Sequence, residues 1–438
     1  MKKLAVFWGL LFFLSPCAPG ERTAQASDPG AGLSLEAARI APVDASWRAK
    51  LPRDPRLATE AYLQRIPRAA VQRANSYFEG KYWLTLWDLV VGLVITWLLL
   101  ARRFSARLRD RIEGWTSRKP LQWLIFAAIY ILLNIVLSWP WTLYESFFRE
   151  HAYGLLNQTF LPWFKDQLIG GGVQILLGSP FYAVLYAVVH KAPRSWPIWG
   201  TMVAILFLGF GTLISPVWID PLFNTYQPLG AGPVRESILS LARANGIPAK
   251  EVYEFNASKQ SDRVSANVSG FLGTMSVRLN DNLLRRASLP EIRAVMGHEM
   301  GHYVLNHPYK ILMEFSIAIY LCFVGLRGSF EWLRVRFEKP WGIRSMDDIA
   351  GLPLAAALVF VFLFLLTPVT NTIIRTEESE ADIFGLNAAR EPDGFAEVSL
   401  LLTEYRKPDP GALEEFVFFD HPSTRNRVYM AMRWKAEN

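Results

Sequence analysis

The chain has 438 residues, 51% hydrophobic, 13% aromatic and 19% charged, with 46 basic against 39 acidic groups for a net charge of +7. That balance excludes a disordered polymer, and the two cysteines, Cys17 and Cys322, exclude a disulfide scaffold and thiolate-rich zinc or iron–sulfur sites. An isoelectric point near 9.3 fits nucleic acid, an anionic surface or membrane topology, and only the distribution along the chain chooses among them.

Lys2 and Lys3 precede a short apolar run, 4–14, and Ala24-Gln25-Ala26 has the small-x-small form of a cleavage site. Residues 1–26 therefore read as a signal peptide. Residues 27–82 are polar and mixed in charge, an exported segment with short helices such as 55–65. Apolar runs follow at 83–101, 121–143, 168–189 and 196–218, then at 311–326 and 350–369. These predict transmembrane helices 1–4 within 83–218 and helices 5–6 within 310–370. Tryptophan and tyrosine at many of their ends argue against buried helices of a soluble core.

Charge orients the spans. Arg102, Arg103, Arg107, Arg109, Arg111, Arg118 and Lys119 crowd the first short loop, Lys191 and Arg194 the second alternate loop, and Arg327, Arg334, Arg336, Lys339 and Arg344 the third. The opposite loop, 144–167, offers only Arg149 and Lys165. Positive-inside bias puts the three cationic loops in the cytoplasm and the polar stretches 219–309 and 371–438 on the periplasmic side. The expected location is an inner membrane, crossed several times. The charge thus reports topology, and no nucleic-acid partner is expected.

Within 219–309 the pattern predicts a helix at 236–245, a strand at 251–255, and strands at 266–272 and 275–279 joined across Gly273-Thr274. Ser288-Leu289-Pro290-Glu291 is a helix start, with serine as N-cap and glutamate at the third position. That helix carries His298-Glu299-Met300-Gly301-His302. Histidines at i and i+4 share one face and can reach one metal ion, and Glu299 sits where it could take a proton from metal-held water. Zinc brings that water's pKa to about 7.

A catalytic zinc wants a third protein ligand. A histidine six residues beyond His302 is absent, since Pro308 stands there. His307 falls off the ligand face and reads as structural. Two glutamate sources remain: Glu314 in the fifth span, and the richer stretch after the sixth span, where Glu378 and Asp382 share a face at i, i+4. Glu378 could ligate the metal while Asp382 orients a ligand histidine, and Ala381 and Gly385 leave room for close helix packing. Glu377 and Glu380 fit an ordinary solvated helix start.

These residues, with Arg375 to Asp382, His421-Pro422, Pro221-Leu222-Phe223-Asn224 and Leu279-Asn280-Asp281-Asn282, resemble the CAAX prenyl protease 1 family of integral-membrane zinc endopeptidases, relatives of the HtpX proteases. The resemblance runs from about Thr59 to the C-terminus. It implies His298, His302 and Glu378 as ligands of one Zn2+ per chain, Glu299 as general base, and Asp382, Asn371 and Arg375 as supporting positions. It implies that His421 and Arg427 face substrate and developing oxyanion. It also implies that Asn267, on an edge strand, holds the substrate extended, a role with its own physical sense because strand edges bind peptide by β-addition.

The expected protein is a polytopic α-helical membrane protein with a small α+β zinc-metalloprotease domain split between 219–309 and 371–438. It would cleave peptide bonds near the ends or exposed segments of membrane-associated proteins or peptides, with the lipid bilayer as its other partner. A transporter is disfavoured, because the spans carry few charges and no doubled half-chain pattern. A catalytically weak quality-control or chaperone-like factor of the same fold is the alternative, opposed by the intact ligand and base set. The sequence leaves the oligomeric state open.

Overall fold

The computed structural model describes residues 40–41, 43–269 and 276–438. The expected signal peptide and the turn at Gly273-Thr274 lie outside the described residues.

Among the described residues, five helical stretches are long and apolar enough to cross a membrane. After a single helical turn, Ala45–Ala49, comes the short α1 (Pro55–Leu63), which Asp54 caps by accepting from the backbone of Arg56 and Leu57. Next, α2 (Arg68–Leu100) runs for 33 residues, so the apolar run predicted from residue 83 is only its distal half. Its single mid-span acid, Asp88, is 9% exposed and accepts from Trp141 Nε1 at 2.8 Å, which offsets the cost of burying it. Arg102 and Arg103 then adopt left-handed φ values of 51° and 58°, ending the helix. The arginine-rich stretch beyond is not a loop but a short helix, Phe104–Trp115. Arg109 on it is buried and paired with the buried Asp348, so one of the predicted loop cations is an internal tie.

The spans α3 (Lys119–Leu143), α4 (Phe160–Lys191) and α5 (Trp196–Ile214) follow, and their apolar faces share one core cluster with the later spans. A four-stranded sheet comes next, in the order β1-β2-β4-β3. Strand β1 is Tyr226–Pro228. Helix α6 (Pro233–Ala244) leads to β2 (Val252–Phe255), then β3 (Ala266–Ser269) and β4 (Ser276–Asn280). The predicted hairpin pairs antiparallel, Ala266 opposite Leu279, while β2 and β4 run parallel. Among the described residues, strand β3 pairs with a neighbouring strand on one side only, which leaves it at the edge of the sheet.

Helix α7 (Leu289–Val304) begins with the expected Ser288–Glu291 capping box. The fifth apolar run belongs to α8 (His307–Arg336). The sixth is not one straight span. It divides into α9 (Leu352–Leu365) and α10 (Thr367–Ala389), with a 57° bend between the helical stretches. Pro368 explains the break, because a prolyl ring clashes with the carbonyl four residues back and has no N–H to offer it. Finally α11 (Pro392–Leu401), α12 (Ala412–Phe418) and α13 (Thr424–Glu437) close the C-terminal unit.

The N-terminal segment is not a separate appendage. Ala58, Tyr62, Ile66 and Ala70 join Phe395, Ala396, Leu400, Val428 and Met432 in one buried cluster. Tyr62 donates to Asp393 at 2.8 Å and Arg65 pairs with Glu397 at 2.7 Å. Residues from α1 and the start of α2 therefore lie on the same side of the spans as the C-terminal unit.

Candidate metal centre

The centre is made where α7 and α10 touch, and small residues set how closely they do so. A Cβ added at Gly385 would lie 2.7 Å from the backbone nitrogen of His298, and one added at Gly301 would lie 3.1 Å from Ala381 Cα. Backbone against backbone cannot yield, so glycine is required at this contact. The contact brings an acidic helix face onto the histidine face.

His298 Nε2 and His302 Nε2 lie 3.1 Å apart. Glu378 Oε2 lies 3.3 Å from His298 Nε2, and its Oε1 lies 3.5 Å from His302 Nε2. These three residues are the one group of histidine, cysteine or acid side chains, among the described residues, whose donor atoms converge as a metal would need. Glu314, the other ligand candidate, is not in it. Glu299 follows His298 on the same helix and is half-buried.

A second layer surrounds these donors. Asp382, fully buried, sets Oδ1 2.7 Å from His298 Nδ1 and Oδ2 2.8 Å from Arg427 Nε. Arg427 also donates from Nη2 to Glu378 Oε2 at 3.0 Å. His421 Nε2 stands 3.2 Å from the same oxygen, and its Nδ1 faces Asp420 at 2.8 Å. Burial alone would depress the His298 imidazolium, but Asp382 and Glu378 outweigh it and hold its pKa up at about 10. Burial, joined by the nearby Arg406 cation, pulls His421 below its ordinary value. Burial disfavours the Arg427 charge too, but the Asp382 and Glu378 carboxylates prevail and push its pKa up.

Asn371 and Arg375 sit farther from the donors. Asn371 donates to the Val417 carbonyl at 2.8 Å, and Arg375 donates to the carbonyls of Glu415 at 3.0 Å and Phe419 at 2.6 Å. They fasten the strand of chain that leads into His421. Asn267 lies on β3 opposite Arg278, and β3 packs beside α7.

Three residues escape the sequence reading. His307 is 1% exposed, and its Nδ1 lies 2.9 Å from His302 Nδ1, so it supports His302. Extending the helix past His302 places it off the face, but Asn306 at φ 58° turns the chain left-handed and folds His307 back. Glu380 faces His307 Nε2 at 3.2 Å and Lys310 Nζ at 2.6 Å, and so is a paired residue rather than a solvated one. Glu377, expected at a solvated helix start, is 2% exposed with neither carboxylate oxygen hydrogen-bonded.

Two family models match the chain, one after the other. Residues 51–225 match the CAAX prenyl protease N-terminal region of five membrane helices, and residues 228–435 match peptidase family M48. An uncharacterized metalloprotease, YhfN, of Bacillus subtilis is 28% identical over 349 residues, covering 78% of this chain and 81% of that protein. A CAAX prenyl protease 1 homolog of Oryza sativa is 30% identical over 278 residues, 62% of this chain and 64% of its own. The crystal structure of S. mikatae Ste24p superposes with a TM-score of 0.69 over 84% of this chain and 89% of that one; at 21% identity, the likeness is one of fold.

Proposed function

The chain belongs to peptidase family M48 as a multi-pass membrane metalloendopeptidase like the CAAX prenyl proteases, and on that premise we propose that it works with one zinc ion held by His298, His302 and Glu378. The spacing of the donors carries this reading. Tetrahedral zinc at its usual bond lengths sets neighbouring ligand atoms ~3.4 Å apart; here the two Nε2 atoms are 3.1 Å apart, and each has one of the two Glu378 oxygens beside it, at 3.3 and 3.5 Å. A zinc ion there would polarise the scissile carbonyl and acidify a water.

The remaining chemistry belongs to the chain. The Glu299 carboxylate accepts a proton from the attacking water and returns it to the departing amide nitrogen. Asp382 fixes the His298 tautomer by accepting from Nδ1. His421 in its imidazolium form would present Nε2–H to the charge that develops on the carbonyl oxygen. Arg427 spends Nε and Nη2 on Asp382 and Glu378, with Nη1 left for that same charge. The substrate lies as an added strand along the free edge of β3, with Asn267 addressing its backbone. Asn371 and Arg375 act indirectly, by holding the 415–419 chain under His421.

The catalytic unit is drawn from 219–309 and 371–438, on the periplasmic side of an inner membrane. Support comes from α8, which carries His307 at one end and Arg327, Arg334 and Arg336 at the other. Substrates are peptides or exposed tails of membrane or periplasmic proteins. The test is metal analysis with peptide cleavage, for wild type and Glu299→Ala. About one zinc per chain is expected in both, with cleavage lost in the variant. No zinc, or equal cleavage, sinks the reading. An inactive periplasm-only reporter fused after Asn438 would sink the orientation.

A further inference from the structure

A second site lies far from the metal. Between α4, α5, α8 and α9 there is a partly open cavity lined by Tyr182, Tyr186, Trp196, Phe323, Leu326 and Met346 among other mostly apolar residues. Cys322, also in its wall, is fifteen residues past His307, which at helical rise sets it ~22 Å from the metal end of α8.

Two observations say what kind of ligand. Trp196 is 3% exposed, and its indole Nε1, itself buried, meets no acceptor. A buried N–H left unpaired costs about 1–3 kcal/mol, so a ligand that brings an acceptor beside an apolar chain is favoured. The second observation is charge beside the cavity. Lys191 and Arg194 flank the lining residues Val189 and Trp196, and Arg327 follows the lining residue Leu326. Arg327 donates to the Arg194 carbonyl at 2.7 Å, which ties the two cations together. All three are exposed, and among the described residues none pairs with a carboxylate. The nearby acid, Asp347, is taken by His190 at 2.7 Å.

We propose that this cavity binds one anionic phospholipid of the surrounding bilayer, its acyl chain in the apolar pocket, an ester carbonyl accepting from Trp196 Nε1, and its phosphate against Lys191, Arg194 and Arg327. Basic pockets between spans take anionic headgroups by the same physics. The site is independent of the peptidase reading and holds whether or not the metal centre is active.

Native mass spectrometry of the full-length protein in detergent tests it, with phosphatidylglycerol and phosphatidylcholine of identical chains as probes. Wild type should retain one phosphatidylglycerol per chain at least about fivefold more tightly than phosphatidylcholine, and Arg194→Gln and Arg327→Gln should each weaken the anionic lipid by about fivefold. Trp196→Phe, which keeps the ring and removes the donor, should weaken both lipids alike. Ala355→Phe fills the cavity and should exclude both; thermal unfolding confirms that each variant is folded, and the arginine variants decide the matter if the filled one is not. Equal affinity for the two lipids overturns the proposal, as does retention unchanged in a folded Ala355→Phe. Displacement by a farnesyl cysteine ester, equally potent in wild type and Arg194→Gln, would assign the cavity to a substrate's lipid chain and overturn it too.

Discussion

His302 is oriented from outside the helix that carries it. Its Nδ1 faces His307, which in turn faces Glu380, and Lys310 holds Glu380. Partners of this kind fix a ligand histidine's tautomer, and their loss costs about 10–100-fold in metal affinity. His307→Ala should therefore weaken zinc by about that factor, measured by competition with a chelator of known affinity, while α8 stays folded. Glu380→Gln, one step farther out, should cost less. Equal affinity in His307→Ala and wild type would reduce His307 to a packing residue. The motif itself was legible, since i, i+4 spacing on a capped helix needs no tertiary information. His307 was not legible, because a single left-handed residue, Asn306, redirects the chain. Glu377 was missed for a related reason: an acidic stretch reads as solvated until the packing of α10 is known.

At the scale of elements, the metal centre depends on one helix contact. Ala381 and Gly385 in the sequence announced a close approach, and the structure places them against His298 and Gly301. Gly385→Ala puts a methyl 2.7 Å from the His298 nitrogen, so α7 and α10 must part. Overpacking of this sort costs about 1–3 kcal/mol, and it also draws Glu378 away from the histidines. The expected outcome is a lower melting temperature together with loss of tightly bound zinc. Gly328→Ala on α8 is the control, because nothing lies within 4 Å of its added Cβ; a helix-interior glycine replaced there should be neutral or stabilising by up to about 1 kcal/mol. A Gly385→Ala protein that keeps full zinc would remove the contact from the argument. Hydropathy did not reveal the division of α9 from α10, since the apolar run passes through Thr367-Pro368 without a change in composition. Only the backbone chemistry of proline marks it.

Over the whole molecule, the candidate metal centre and the cationic residues Arg327, Arg334 and Arg336 lie at opposite ends of α8. The charge pattern in the sequence assigns these ends to opposite faces of the membrane. What it could not show is that one of its arginines is internal. Arg109 pairs with Asp348, and Asp348 also accepts from the Arg344 and Ala350 backbones. Ser105 adds a hydrogen bond of 2.6 Å to the Ala350 carbonyl. Together these fasten the short helix Phe104–Trp115 to the chain entering α9. Arg109→Ala leaves a buried carboxylate without its cation, at a cost of about 3–5 kcal/mol. The loss falls at the far end from the zinc ligands. The melting temperature should therefore drop steeply while zinc affinity in the surviving folded protein stays at the wild-type value, and Asp348→Asn, which removes the charge and keeps one of the two backbone acceptances, should restore part of the stability when combined with Arg109→Met. A change in zinc affinity equal to that of Gly385→Ala would mean the two ends are coupled through the spans rather than independent.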